Sequence, residues 1–194
     1  MRYKPDYKAK MRRELLSVAG KTMKEKGFSA TGIDGLMQDA GVTSGAFYGH
    51  FSSKAELLKA LVVSELETSA AMWGEMTDAD PTDWLRHQAR RYLSMGHVSN
   101  PQVGCILPAL ASEISRADEE TRMLLTEELK KWKESVAARL EDKDSAWAFI
   151  AQLVGGVLLA RAVADQSLQQ TILSESRRFL ETSIPERQTS KGGL

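Results

Sequence analysis

At 194 residues, with 42% hydrophobic and 27% charged positions, the chain carries enough apolar material for a real core and reads as soluble and globular. Its net charge of zero hides a division, because residues 1–60 hold 11 Lys and Arg against 6 Asp and Glu, while residues 61–194 hold 15 against 20; a basic first third suits a polyanionic partner or a merely solvated face. One cysteine, Cys105, excludes an intramolecular disulfide and a multi-cysteine zinc site, and with no signal peptide and no apolar run of roughly 18 residues the expected location is cytoplasmic.

Taken in chain order, the pattern is helical throughout, so the expected class is all-α. A first helix fits about residues 8–26, with Leu15, Leu16, Val18, Ala19 and Met23 inward, Gly20 as a local weakness and Gly27 as the stop. Thr31 with Asp34 nearly matches a capping box and opens a short second helix carrying Ile33, Leu36, Met37 and Ala40. Gly41 suits a left-handed turn, after which Thr43 or Ser44 caps a third helix running to about His50. Ser53 to Glu56 forms a full Ser-x-x-Glu box and opens a long fourth helix to about Met76, broken by the polar stretch Thr77 to Thr82 with Pro81. A functional boundary is placed in this helix, giving domains 1–55 and 56–194. Further helices fit about 82–97, 102–115, 118–141, 145–164 and 167–183, and the polar end from Pro185 is expected to fray.

Helix, short turn and helix between Thr31 and Phe51 is the plan of a helix-turn-helix, whose second helix enters the major groove. Val42 and Phe47 serve as apolar anchors, while Thr43, Ser44, Gly45, Tyr48 and His50 are small or hydrogen-bonding groups suited to face a polynucleotide. An ordinary helical hairpin explains the glycines and the apolar positions but not an exposed Tyr48 and His50 beside a basic region. No Arg, Asn or Gln lies between Gly41 and Phe51, so bidentate reading of guanine or adenine from the third helix is not expected. Thymine-methyl contacts, DNA shape and Gln38 remain as sources of specificity.

These residues carry a resemblance. From Leu15 to Leu61 the chain resembles the N-terminal DNA-binding domain of the TetR family of bacterial regulators, through Thr31, Ala40-Gly41-Val42, Thr43-Ser44-Gly45, Phe47-Tyr48, His50-Phe51 and Lys54. It departs mildly, with Met37 where the family usually has Ala and Thr22-Met23 in place of a common Leu-Phe pair. The resemblance implies that Thr31, Tyr48, His50 and Lys54 hold phosphates and that Thr43, Ser44, Gly45 and Ala46 lie closest to bases. Lys8, Lys10, Arg12 and Arg13 are either additional contacts or solvated. It further implies a homodimeric repressor of a palindromic DNA operator, with C-terminal helices that bind a small-molecule effector.

For the dimer, segments 145–164 and 167–183 suit a four-helix bundle burying Leu153, Val154, Val157, Leu158, Ile172, Leu173 and Phe179, or else an intrachain core. Gly155-Gly156 allows close helix approach. For an apolar or aromatic effector, Trp73, Trp84, Tyr92, Met95, Met123, Trp132, Trp147 and Phe149 form an aromatic and Met-rich set that equally suits plain core. Cys105, near a helix start in a Gly-Cys segment, is either a small buried hydrophobe or a thiol sensor of electrophiles or oxidants, as the resemblance to a subset of the family implies. His87, His97 and Cys105 lack an i, i+4 ligand pair, and no nucleophile elbow or phosphate loop is present, so no metal, cofactor or enzymatic reaction is expected. A helical ligand-binding or interaction protein without operator binding is the reading from another class.

Overall fold

The computed structural model describes residues 5–74, 81–140, 142–182 and 184, and all regular structure among them is helical. The order is α1 Pro5–Lys26, α2 Ile33–Asp39, α3 Ser44–Tyr48, α4 Lys54–Gly74, α5 Pro81–Tyr92, α6 Met95–Ser99, α7 Leu107–Ile114, α8 Glu119–Ala137, α9 Ala146–Ala162 and α10 Gln166–Thr182. Short 3-10 turns occupy Pro101–Val103 and Lys143–Ser145. The all-α expectation therefore holds. The expected end of the fourth helix near Met76, the stretch 77–80 and the tail from Pro185 lie outside the described residues.

Packing divides the chain into one unit of residues 1–72 and 100–128 and another of 73–99 and 129–194. The expected division at 55/56 is one of function; by packing, most of α4 and all of α7 belong with the N-terminal helices.

In the first unit, α1 stops where expected, at Gly27 with φ +87°. Gly20 is no weakness. A Cβ there would lie 2.7 Å from Glu65 Oε1 and 2.9 Å from Leu61 Cδ1, so its absence lets α1 approach α4. Glu65 is itself fixed, because Lys24, only 7% exposed, donates to it at 2.7 Å and to the Gly104 carbonyl at 3.1 Å. Burying one ion here is tolerated because the ammonium meets both a carboxylate and a carbonyl.

Two expected caps are corrected. Thr31 does not cap α2; the position belongs to Gly32, and the Thr31 hydroxyl donates instead to the Gly27 carbonyl at 2.6 Å. At α4 the Glu56 amide donates to Ser53 Oγ at 3.1 Å as expected, but the Glu56 carboxylate accepts from the amide and hydroxyl of Ser52, one residue earlier than the box prescribes.

In the second unit, the expected helix 82–97 is two helices. The Ser94 hydroxyl donates to the Arg91 carbonyl and accepts from the His97 amide, so one side chain closes α5 and opens α6. In the first unit, the segment expected at 102–115 begins as a 3-10 turn, and α7 proper starts only at Leu107, with Pro108 in its first turn. At the other end of α8, Arg139 takes the Ser135 carbonyl at 2.8 Å and helps end that helix before 141.

The second unit is built on α9 and α10. Leu153, Val157 and Ala160 on α9 are wholly buried, and Leu173 and Leu180 on α10 are nearly so. Gly156 is the close-approach point, where a Cβ would meet Leu93 Cδ2 at 2.7 Å and Ser176 Oγ at 3.1 Å, whereas Gly155 faces open space. Contrary to the expectation of no apolar run of roughly 18 residues, the stretch Lys143–Ala162 is long and apolar enough to cross a membrane by length and composition, with mean hydropathy 1.4. Its Phe149, Ile150, Leu153 and Val157 side chains are buried within this unit.

Candidate nucleic-acid interface and aromatic cluster

The turn between α2 and α3 is made by Gly41, at φ +67°, which only glycine adopts without strain. Its amide donates to the Gln38 carbonyl at 3.0 Å and the Val42 amide to Met37 at 2.9 Å, so two hydrogen bonds fix the angle at which α3 leaves. Phe47 and Phe51 then sink to 0% and 1% exposure with ring centroids 5.6 Å apart, alongside buried Leu36 and Met37. Burying that face turns the other outward, and Tyr48 is 62% exposed, its ring held edge-on to Phe47. Arg12 locks the far end, donating to the His50 carbonyl at 2.6 Å with its guanidinium 4.2 Å above the Phe51 ring.

The sequence-derived contact residues are distributed as follows. Thr43, Gly45 and Tyr48 are exposed, while Ser44 and Ala46 are half-buried on the same short helix. Thr43 holds the N-cap position without a side-chain cap. The Ser44 hydroxyl donates to Asp34 Oδ1 at 2.5 Å. Thr31 is buried with its hydroxyl turned inward, so it braces the turn after α1. His50 is half-buried; burial first, then the nearby Lys8 and Arg12 charges, hold its imidazole below the usual value. Its Nδ1 is buried without a hydrogen-bond partner. Lys54 is half-buried with Nζ 4.3 Å above the Phe28 ring. Lys8 and Arg13 are exposed, Lys10 pairs with Glu14 at 3.8 Å, and Gln38 is exposed at the end of α2.

One group that sequence reasoning missed is Glu113 on α7. Its carboxylate accepts from the backbone amides of Phe28 and Ser29, both at 2.6 Å, just before the helix-turn-helix. Burial alone would raise this carboxyl, but the two amides and the Arg116 charge outweigh it and leave it below the usual carboxylate value. No local pattern announces a cap that reaches across more than 80 residues of chain.

Of the second candidate set, the structure joins some residues and separates others. Trp73 packs against Trp84 at 5.4 Å and Trp132 at 4.8 Å, and Tyr92 lies 6.2 Å from Trp132 and 4.5 Å from His97. Trp84 is wholly buried under the Arg139 guanidinium at 4.2 Å. The indole nitrogens of Trp84 and Trp132 are buried donors without acceptors, a state that costs about 1–3 kcal/mol each unless a ligand or water satisfies it. Met95 lines an open groove of about 540 Å³ with Leu93, Thr171 and Arg177. Phe149 is core, whereas Trp147 is 46% exposed. Cys105 and Met123 belong to the first unit, Met123 at 61% exposure and Cys105 half-buried, with Sγ accepting from the Leu107 amide at 3.5 Å. Among the described residues no group of His, Cys, Asp and Glu could hold a metal.

Residues 15–61 match the family model described as bacterial regulatory proteins, tetR family. An HTH-type transcriptional repressor of Mycobacterium tuberculosis, KstR2, is 34% identical over 77 residues, which make up 39% of this chain and 38% of that protein. The chain thus aligns with less than two fifths of that relative's length. Among solved structures, the reduced form of Escherichia coli NemR superposes with a TM-score of 0.78 at 18% identity, covering 93% of this chain and 100% of that one. A TetR-family regulator from Agrobacterium tumefaciens gives 0.77 at 21% identity, over 92% and 100%. At these identities the solved structures establish the fold.

Proposed function

We propose, for a chain that belongs to the TetR family of bacterial regulators, that it is a homodimeric, cytoplasmic transcriptional repressor that binds a palindromic operator through α2 and α3 and releases it when an effector binds. The observation that carries the reading is the Gly41 turn, with Phe47 and Phe51 buried on one side of α3 and Thr43, Gly45 and Tyr48 exposed on the other. In this reading Tyr48, Lys54 and Thr43 donate to phosphates, Thr31 sets the turn that delivers them, and Ser44, Gly45 and Ala46 approach the bases. His50 would contribute as a hydrogen-bonding group.

Leu158 at 51%, Leu159 at 60% and Phe179 at 61% exposure supply an apolar face for a second copy, whereas Leu153, Val157 and Leu173 already serve the intrachain core. The effector reading is supported by the Trp73, Trp84, Tyr92 and Trp132 cluster, where the two unpartnered indole N–H groups suit an aromatic molecule bearing a hydrogen-bond acceptor. An effector changes DNA affinity only by as much as it prefers the non-binding conformation. The role assigned is regulatory, with no reaction.

A salt-dependent mobility-shift titration on DNA from around the protein's own gene tests this function. Sequence-preferring binding that weakens with salt is expected, and indifference to sequence at every salt concentration overturns it.

A second reading makes Cys105 a thiol switch. It is favoured by the Leu107 amide, whose N–H points at Sγ and would stabilise a thiolate. Release of DNA by electrophiles that persists unchanged in Cys105→Ser removes it.

A further inference from the structure

The helix offered to the major groove lacks the side chains that ordinarily read purines, since Gly41 to Phe51 contains no Arg, Asn or Gln. The neighbouring helix, however, places a carboxylate at its start. Asp34, exposed in the first turn of α2, accepts the Ser44 hydroxyl proton at 2.5 Å and so stands beside the first residue of α3. The other acidic residue of α2 shows the contrast: Asp39 is offset by Lys26 at 3.7 Å and accepts from Thr22 at 3.2 Å, whereas Asp34 has no ion-pair partner among the described residues. Because Ser44 spends its proton on Asp34, the pair presents acceptors only, namely the remaining carboxylate lone pairs and those of Ser44 Oγ.

An uncompensated carboxylate on a DNA-facing surface repels phosphates, and no acceptor-only pair can bond guanine O6 and N7 or thymine O4. In the major groove the groups it can accept from are the exocyclic amines of cytosine and adenine. We propose that Asp34, held by Ser44, is the specificity-determining group of this interface, accepting a hydrogen bond from a base amino group in each half-site and rejecting guanine and thymine there. The proposal rests on the operator-binding reading above and deepens it.

The test selects bound duplexes from a randomised pool with the full-length protein and its Asp34→Ala, Asp34→Asn and Ser44→Ala variants, reading base enrichment by sequencing. Wild type should enrich cytosine or adenine at one symmetric position of each half-site. Asp34→Ala should lose enrichment there alone, weaken binding to the best site about tenfold and tighten binding to unselected duplex, since a negative charge has gone. Asp34→Asn, which keeps an acceptor for Ser44 and adds a donor, should admit guanine at that position, and Ser44→Ala should blur it less than Asp34→Ala does. Identical enrichment at every position in wild type and Asp34→Asn overturns the proposal while leaving operator binding intact. A wild-type protein that enriches no sequence removes the operator reading and this proposal together.

Discussion

The α1–α3 region and the α9–α10 pair solve opposite problems with the same materials. The first sinks Phe47 and Phe51 completely, so that on α3 small and polar groups face outward beside Tyr48, while the second leaves Leu158, Leu159 and Phe179 in the open. Glycine marks the difference too. Gly41 is needed for its backbone angle, Gly156 only for its missing side chain. One region is finished by its own chain, and the other presents an apolar face that a second copy would complete.

The largest expected effect tests whether the first region is self-sufficient. Phe47→Ala should cost about 3–5 kcal/mol and abolish DNA binding, read by thermal unfolding and mobility shift, while leaving the oligomeric state intact. The mirror experiment is Phe179→Glu, which should raise the dimer dissociation constant at least about a hundredfold in sedimentation equilibrium and leave the protomer folded. If Phe179→Glu unfolds the chain instead, the Phe179 face of α10 also belongs to the intrachain core and the contrast collapses. A finer probe lies within α9. Gly156→Ala should cost about 1–3 kcal/mol because Leu93 and Ser176 must move, whereas Gly155→Ala, in open space, should gain about 0.5–1 kcal/mol.

The smallest expected effect concerns Glu113. Its carboxyl lies below the ordinary value in the folded state, so its contribution is fully present above the unfolded value and is lost as pH falls through the folded one. Glu113→Gln should therefore remove part of the loss of stability in acid and cost about 1 kcal/mol at neutral pH. Unchanged acid unfolding in Glu113→Gln would show that the two amide contacts are idle.

The legibility of the two regions follows the same division. Gly27, Gly41, the Phe47 anchor and the opening of α4 were readable because each is decided within a few residues, by a backbone angle, a cap or a helical repeat. The α5 to α6 break at Ser94 was not, because a serine inside a helix-compatible run ends it only when its hydroxyl takes over backbone hydrogen bonds. Thr31 and Asp34 illustrate a subtler miss. Their spacing fits a capping box, yet each found a better partner outside the box, Thr31 in Gly27 and Asp34 in Ser44. For the aromatic set, composition singled out suitable residues but not their neighbours, so Trp73, Trp84, Tyr92 and Trp132 came together while Met123 and Trp147 are exposed. Glu113 was invisible because its partners are backbone amides far away in sequence.

Arg12 has a consequence for how this protein meets a polyanion. It and Lys24 are committed inward, one to the His50 carbonyl and the Phe51 ring, the other to Glu65, while Lys26 leans on Asp39. Part of the basic excess of residues 1–60 thus braces the scaffold and is already spent when DNA arrives. Fewer condensed counterions would be displaced per head than the composition suggests, and affinity should decline more gently with ionic strength than a count of lysines and arginines implies.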